Sequence, residues 1–215
     1  MLPAQIAETL KHRPGTIAEQ HEGASVLFAD IVGFTPMCRA LSPTQVVDVL
    51  NEVFSRFDDL AQHYGVEKIK TIGDCYMVAA GVPREDARHA HLLAAMALEM
   101  VQAAQLTVVG GQPLQVRVGI SSGPVVAGVI GQRKFIYDLW GDAVNLASRM
   151  ESHGASDQVR VTAATQALIA DSFRCTALGL QPIKGVGEVE VWRVEGWRGG
   201  IEPISALAAR RRSAG

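Results

Sequence analysis

The fold is decided by the stretch from Ser25 to Gly81, which reads SVLFADIVGFTPMCRALSPTQVVDVLNEVFSRFDDLAQHYGVEKIKTIGDCYMVAAG. It opens on a short, wholly apolar run, Ser25–Ala29, that predicts a buried strand. A long amphipathic helix is predicted next, because Ser42 can cap its start and Gly65 can end it. Two β-patterned segments then flank Gly73-Asp74 and predict a hairpin. The stretch therefore supplies a strand, a helix and a strand pair in that order.

The rest of the chain continues the same alternation of helices and strands. The predicted elements are a helix at about Asp86–Leu106, strands at Val116–Ser121 and Val125–Ile130 around a turn at Ser122-Gly123-Pro124, a helix at Gly141–Glu151, a strand at Val159–Val161, a helix at Ala163–Ala170, and strands at Phe173–Leu178 and Glu188–Val194. This order predicts an α+β fold with a ferredoxin-like βαββαβ core and additional C-terminal strands and helix.

We expect one globular domain at residues 24–196, preceded by an N-terminal helix and linker at 1–23 and followed by a tail at 197–215. The linker is predicted at Arg13-Pro14-Gly15, after a short amphipathic helix that either couples to another module or frays without a partner. The basic run Arg210-Arg211-Arg212 is interpreted as part of a solvated tail.

Composition narrows the class of protein. The 215 residues carry a formal net charge of −2, so the basic surplus typical of nucleic-acid binders is absent and no nucleic-acid partner is expected. Three cysteines without metal-ligand spacing argue against a disulfide framework and favour a reducing, cytoplasmic compartment. No apolar run reaches the length of a membrane span, and no signal peptide is visible.

Two aspartates stand at the ends of apolar, β-patterned segments. Asp30 follows the first predicted strand, and Asp74 lies in the turn of the predicted hairpin. If the fold brings these carboxylates together, they repel each other unless a cation lies between them, and hard cations such as Mg²⁺ prefer oxygen ligands. Metal-assisted phosphate chemistry is therefore the first hypothesis, and strand-end turn formation is the alternative.

Four strings occur in order: FADIVGFT at 28–35, KTIGDCYM at 70–77, VGISSGPVVAGVIG at 118–131 and YDLWGDAVNLASRM at 137–150. In sequence and spacing they resemble the class III nucleotidyl cyclase catalytic domain, the homology domain of adenylate and guanylate cyclases, and in particular mycobacterial-type homodimeric cyclases. The resemblance covers about Ser25 to Arg193. It implies the same ferredoxin-like core that the predicted elements describe.

The resemblance implies a two-metal site. Asp30 and Asp74, with the backbone carbonyl of Ile31, match the family's ligands for two Mg²⁺ or Mn²⁺ ions. One ion would polarise an attacking 3′-hydroxyl, and the other would neutralise the triphosphate. The turn at Gly33-Phe34-Thr35 would offer backbone N–H groups to phosphate oxygens. Its alternative is a tight turn that binds no ligand.

Lys70 and Asp138 predict which nucleotide base the site binds. Adenine presents an acceptor at N1 and a donor at its exocyclic N6, so donor-only lysine and acceptor-only aspartate match it. Guanine reverses both polarities at that edge. The guanylate cyclases that this chain resembles carry a glutamate and a small residue at these two places, so the pair favours ATP. The alternative is a plain surface ion pair.

The remaining site residues come from matching the family motif. Asn145 and Arg149, four apart on one helix, match the transition-state residues; Asn145 would orient the ribose and Arg149 would meet charge on the α-phosphate. Lys184 resembles the family's phosphate-contacting lysine. The chain departs from the family two places later, where a second basic residue is common and Val186 stands here.

The sequence as a whole is therefore interpreted as an adenylate cyclase that converts ATP to 3′,5′-cyclic AMP and pyrophosphate. Because the family builds its site between two domains and this chain has every element, we expect a homodimer with two shared sites. The N-terminal piece resembles the coupling helix that follows a membrane or sensor module. Two alternatives stay open: a guanylate or dual-specificity cyclase, and a catalytically silent domain used for dimerisation or nucleotide sensing. No residue is singled out as the general base.

Overall fold

A mixed sheet forms the centre of the structure, a computed structural model that describes residues 2–12, 17–131 and 135–199. The helices are α1 Ala4–His12, α2 Phe34–Ala40, α3 Pro43–Tyr64, α4 His89–Ala104, α5 Asp142–Ser152 and α6 Ala163–Ile169. The strands are β1 Ala18–Ile31, β2 Glu67–Ile72, β3 Cys75–Ala80, β4 Val108–Val109, β5 Gln112–Pro113, β6 Val116–Ile130, β7 Ile136–Trp140, β8 Val159–Thr162, β9 Phe173–Ile183 and β10 Gly187–Trp197.

Within those ranges the large sheet has eight strands, in the order β2-β3-β1-β6-β8-β10-β9, with β7 also paired to β6. The only parallel pair given for this sheet is β6 with β8, and its other described pairs are antiparallel. Strands β4 and β5 form a separate short ribbon. The α+β class predicted from the order of elements is confirmed.

The long helix α3 begins and ends as its sequence predicts. The Ser42 side chain accepts a hydrogen bond from the Gln45 backbone N–H at 3.3 Å, and the Gln45 side chain accepts one from the Ser42 N–H at 2.8 Å. Gly65 ends the helix with φ 64°, a left-handed conformation that glycine adopts without steric cost. The start and the end of α3 therefore follow from local chemistry.

The turn predicted at Ser122-Gly123-Pro124 is wrong, because β6 runs without interruption from Val116 to Ile130. Its neighbour β1 explains the continuity. Residues 24–31 of β1 pair with residues 116–123 of β6, and residues 18–21 pair with 125–128, on either side of a bulge. Since one long strand supplies partners along nearly the whole of the other, Gly and Pro do not break the ladder here.

Other boundaries also differ from expectation. Strand β1 begins at Ala18 rather than Ser25, α4 begins at His89, and the final strands β9 and β10 are longer than predicted. Helix α2 and strands β4, β5 and β7 were not predicted. The division into 1–23, 24–196 and 197–215 stays a prediction, and Arg13-Pro14-Gly15 and Arg210-Arg211-Arg212 lie outside the described residues.

The sheet has an apolar cluster on each face, and the alternation along β1 assigns its side chains to them. Leu27 and Ile31 join the cluster that includes residues of α3 and α4. Val26 and Phe28 join the opposite cluster, together with residues of β7, α5 and α1. Because successive side chains of a strand point to opposite faces, Asp30 belongs with Val26 and Phe28. The face that carries α5 and β7 is therefore where the candidate site lies.

Among the described residues, no helix has the length and apolar character needed to cross a membrane.

Candidate active site

The two predicted metal-binding aspartates are neighbours in the fold. Asp30 on β1 is paired in register with Cys75, the first residue of β3, so Asp74 in the preceding turn lies beside it. Burial raises the pKa of the Asp74 carboxyl, and the charge of Asp30 raises it further. The two carboxylates thus interact electrostatically, which is the condition under which a divalent cation would stabilise both.

The donor set fits a hard cation, since both aspartates supply oxygen and both are only partly hydrated. They act as a pair: among the described residues, no group of three or more His, Cys, Asp or Glu side chains has the arrangement of a metal centre. Backbone carbonyls, such as that of Ile31 at the end of β1, water or a substrate phosphate could supply further oxygen ligands.

Arg117, which the sequence analysis missed, lies at the centre of this group. It is paired in register with Asp30 across β1 and β6, and its Nη2 donates to Asp30 Oδ2 at 2.6 Å. The Arg117 Nε lies 3.2 Å from Glu151 Oε1 on α5. One guanidinium therefore lies between two carboxylates. No local pattern signals this arrangement, because it depends on the β1–β6 register.

Glu151 is the second residue that the sequence analysis missed. Its side chain is buried, and its pKa is raised to about 7 by burial, with the charges of Asp30 and Asp74 adding to the effect and Arg117 opposing it. Helix α5 holds it close to β6 at Gly119, where a Cβ would lie 2.1 Å from the Glu151 backbone nitrogen. This close approach brings Glu151 to Arg117, two residues before Gly119 on the same face of β6.

Lys70 and Asp138 also meet, although they are 68 positions apart. The Lys70 Nζ donates to Asp138 Oδ2, and Asp138 Oδ1 accepts from the Leu139 N–H at 2.9 Å. The Asp138 side chain is 12% exposed and that of Lys70 is 34% exposed, so the pair lies at the edge of the interior. Its free hydrogen-bonding positions can meet a ligand that enters from solvent.

A bulge in β2 determines the partner of Lys70. Residues two apart on a regular strand share a face, yet Lys68 bonds Asp58 on α3 while Lys70 bonds Asp138 on β7. The register of β2 with β3 shifts between Lys68 and Lys70, and a bulge re-aims side chains in this way. The two lysines consequently serve opposite faces of the sheet.

The segment predicted to contact phosphates opens a short helix rather than a simple turn. Gly33 has φ 71° and precedes α2, whose first residues are Phe34 and Thr35. Phe34 packs against the cluster on the α3 side, and Thr35 is exposed. The Gly33 carbonyl accepts from the Met37 N–H at 3.1 Å. The first N–H groups of α2 have no partner within that helix, as at any helix start.

The other predicted residues lie apart from the carboxylates. Asn145 and Arg149 are exposed on α5, on the side away from the buried Ala147. Lys184 is exposed in the turn between β9 and β10. In the described part of the chain, no hydrogen bond or ion pair joins these three side chains to Asp30 or Asp74. Within one chain the structure forms the acidic group and, separately, the Lys70–Asp138 pair, and it leaves Asn145, Arg149 and Lys184 exposed.

Comparison with known proteins shows the family of the chain. The family model described as "Adenylate and Guanylate cyclase catalytic domain" matches residues 16–196. The chain is 45% identical to an adenylate cyclase of Mycobacterium tuberculosis, over its whole length and 49% of that protein. It is 42% identical to the rat guanylate cyclase soluble subunit beta-2, over 89% of this chain and 29% of that one.

A solved structure agrees in fold. The guanylate cyclase domain of RhGC from Catenaria anguillulae, in complex with GTP, superposes with a TM-score of 0.81 at 31% identity, and the match covers 84% of this chain and all of that domain. This chain spans about half the length of the mycobacterial relative and less of the rat one. From its motifs, its fold and these matches, the chain belongs to the adenylate and guanylate cyclase catalytic-domain family.

Proposed function

We propose that this domain is an adenylate cyclase, which converts ATP to 3′,5′-cyclic AMP and pyrophosphate. The observation that favours ATP as the substrate is the Lys70–Asp138 pair. Relatives of both nucleotide specificities match the chain at similar identity, so the family alone does not choose the base. The choice rests on which hydrogen-bonding groups this chain presents to the base.

Lys70 would donate to adenine N1, and Asp138 would accept from the exocyclic N6 group. Guanine has a donor at N1 and an acceptor at O6, so each charged side chain would face a group of its own kind. Buried polar groups left without a partner discriminate strongly between substrates, by up to several orders of magnitude. In the structure the Lys70 amine donates to the Asp138 carboxylate, and this contact would hold both side chains in position for the base.

Asp30 and Asp74, with the Ile31 carbonyl, would hold two Mg²⁺ or Mn²⁺ ions. Such ions, when bound, activate the 3′-hydroxyl and neutralise the triphosphate. The chain's own contribution is to place the two carboxylates side by side at the ends of β1 and the β2–β3 turn. Arg117 orients the Asp30 carboxylate through its 2.6 Å hydrogen bond. The backbone of Gly33-Phe34-Thr35 would receive phosphate oxygens.

Asn145 and Arg149 would complete the site of a second copy. Both are exposed on α5 and bond to neither aspartate of their own chain in the described structure. A symmetric homodimer with two shared sites explains why a chain that carries every element leaves these two side chains facing outward. Asn145 would orient the ribose, Arg149 would stabilise charge on the α-phosphate, and Lys184 would contact the phosphates.

The test is to incubate the purified chain with Mn²⁺ and either ATP or GTP and to separate the products by nucleotide chromatography. We expect cyclic AMP from ATP and little or no cyclic GTP. Cyclic GTP at a comparable rate would replace this proposal with a guanylate or dual-specificity cyclase. No cyclic product, from a folded dimer that binds nucleotide, would indicate a silent domain.

The setting of the domain is also a proposal. Because the chain spans about half of its mycobacterial relative, an upstream membrane or sensor module in a longer parent protein is proposed as the source of regulation. The three cysteines, all unpaired in the structure, suit a catalytic domain that works in the cytoplasm.

A further inference from the structure

Burial of the Glu151 carboxylate is energetically unfavourable. It is 7% exposed, and its Oε1 is buried with no hydrogen-bond partner among the described residues. Its ion-pair contact there is with Arg117, at 3.2 Å and without hydrogen-bond alignment. A buried carboxylate with so little compensation destabilises a fold relative to a neutral residue of similar size. Packing therefore does not explain why a glutamate occupies this place.

The geometry of Arg117 offers an explanation. Guanidinium donors point along several edges of a plane, so one arginine can face two carboxylates at once. Here Nη2 donates a hydrogen bond to Asp30, and Nε lies 3.2 Å from Glu151 Oε1. With Asp74 also close enough to interact with Asp30 and Arg117, the group holds three acids and one base. Of these three acids, Glu151 is the one that is not a proposed metal ligand.

We propose that Glu151 is a positioning residue that acts through Arg117, sharing the guanidinium with Asp30 and retaining it when a divalent cation takes Asp30. The proposal rests on the proposed function, since it needs Asp30 as a metal ligand. A cation at Asp30 repels Arg117. Without a second carboxylate behind it, the guanidinium would either stay on Asp30 and compete with the metal or leave the site.

The backbone supports such a fixed role. Gly119 lets α5 lie directly against β6, with the Ala147 carbonyl 2.4 Å from where a Cβ would be. The Glu151 main chain is thus held by contact with β6 rather than by its own side chain. Its carboxylate is presented to Arg117 from a rigid element, as positioning residues require.

The experiment is a double-mutant cycle on Mn²⁺ binding, which separates an effect through Arg117 from a direct one. Wild type, Glu151→Gln, Arg117→Gln and the double variant are titrated with Mn²⁺ alone. Free Mn²⁺ is measured by electron paramagnetic resonance above pH 8, where Glu151 is ionised because its pKa is about 7. We expect Glu151→Gln to weaken binding by roughly three- to tenfold in the wild-type background and to have no effect in the Arg117→Gln background.

One control variant and one replacement variant complete the experiment. Asp142→Asn removes one negative charge from the exposed first turn of the same helix and should leave Mn²⁺ binding unchanged. Thermal unfolding checks that each protein is folded. If Glu151→Gln does not fold, Glu151→Asp replaces it in the cycle; it keeps the charge with a shorter reach, and its smaller weakening should again vanish without Arg117.

The outcomes separate this inference from the proposed function. Equal weakening by Glu151→Gln in both backgrounds would overturn it, since Glu151 would then act by its own charge. Unchanged binding in Glu151→Gln, with binding lost in Asp30→Ala, would overturn it and leave the metal site in place. Mn²⁺ binding that survives Asp30→Ala, or its absence in wild type, would overturn the proposed metal site and this inference together.

Discussion

At the scale of single residues, the site is a small set of charges whose positions the sheet fixes. Asp30 and Asp74 face each other across adjacent strand ends, and Arg117 and Glu151 extend the group toward α5. Each charge alters its neighbours, as the raised pKa values of Asp74 and Glu151 show. Consequently, changing one side chain should change catalysis more than it changes the fold.

Replacing Asp74 by Ala should abolish turnover while the protein stays folded. A lost metal anchor should cost on the order of a thousandfold in rate or more, since it removes several kcal/mol of transition-state stabilisation. The carboxyl has a raised pKa and no ion pair in the described structure, so its removal should barely lower thermal stability. Initial rates with Mn²⁺-ATP and thermal unfolding measure the two effects. Near-normal activity in folded Asp74→Ala protein would contradict the metal assignment.

Changing the base-recognition pair should change the nucleotide. Lys70→Glu with Asp138→Cys presents an acceptor where a donor stood and removes the acceptor, which suits guanine. We expect the double variant to lose ATP turnover and gain GTP turnover, and each single variant mainly to lose activity. Lys68→Glu is the matched control, because that lysine bonds Asp58 on the other face. A control that switches nucleotide as well would show that the switch does not depend on this pair.

At the scale of elements, the contact between α5 and β6 determines where the site's side chains lie. Helix α5 carries Asn145 and Arg149 on its exposed side and Glu151 on its buried side. Gly119 on β6 permits the close approach, since any larger residue would meet the helix backbone. The placement of these three candidate site residues thus depends on one glycine with ordinary backbone angles.

Replacing Gly119 by Ala should therefore damage both stability and activity. The new Cβ would lie 2.1 Å from the Glu151 nitrogen and 2.4 Å from the Ala147 oxygen, so α5 must shift. Overpacking of this kind costs about 1–3 kcal/mol or more, which a thermal or denaturant melt measures. Gly199→Ala is the control, because a Cβ there meets no atom of the described residues within 4 Å. A Gly119→Ala protein as stable and active as this control would contradict the close-packing account.

At the scale of the whole molecule, the proposed function implies that each chain alone holds an incomplete site. The acids and the base-recognition pair meet within one chain, whereas Asn145 and Arg149 point into solvent. A symmetric pair of chains would supply to each site what the other lacks. This explanation predicts complementation between two inactive proteins.

Mixing Asp30→Ala and Arg149→Ala proteins should restore activity. A mixed dimer has both substitutions in one site and leaves its other site intact. Each mixed dimer therefore has up to half the activity of a wild-type dimer. Random exchange of equal amounts makes about half the dimers mixed, which sets a ceiling of roughly a quarter of wild-type activity. Recovery should rise with protein concentration if monomers exchange. No recovery, despite subunit exchange confirmed with differently tagged chains, would mean that each site is built within one chain.

Local patterns in the sequence were sufficient for most of the elements and for the family. The capping box at Ser42, the glycine at position 65 and the apolar run Ser25–Ala29 of β1 each lie within a few neighbouring residues, so apolar patterning and turn chemistry reveal them. The order of elements then predicts the α+β class. The four motif strings identify the family, whose expected site residues include Asp30 and Asp74.

Which of these residues lie in contact depends on the tertiary structure. The continuous β6 depends on pairing with a long β1, and the Arg117–Asp30 hydrogen bond joins positions 87 apart through that register. Glu151 reaches the same group because α5 packs on Gly119, and Lys70 reaches Asp138 because a bulge turns it to that face. A local sequence pattern does not predict these contacts, because strand register and helix packing are set by the pairing and burial of the whole sheet.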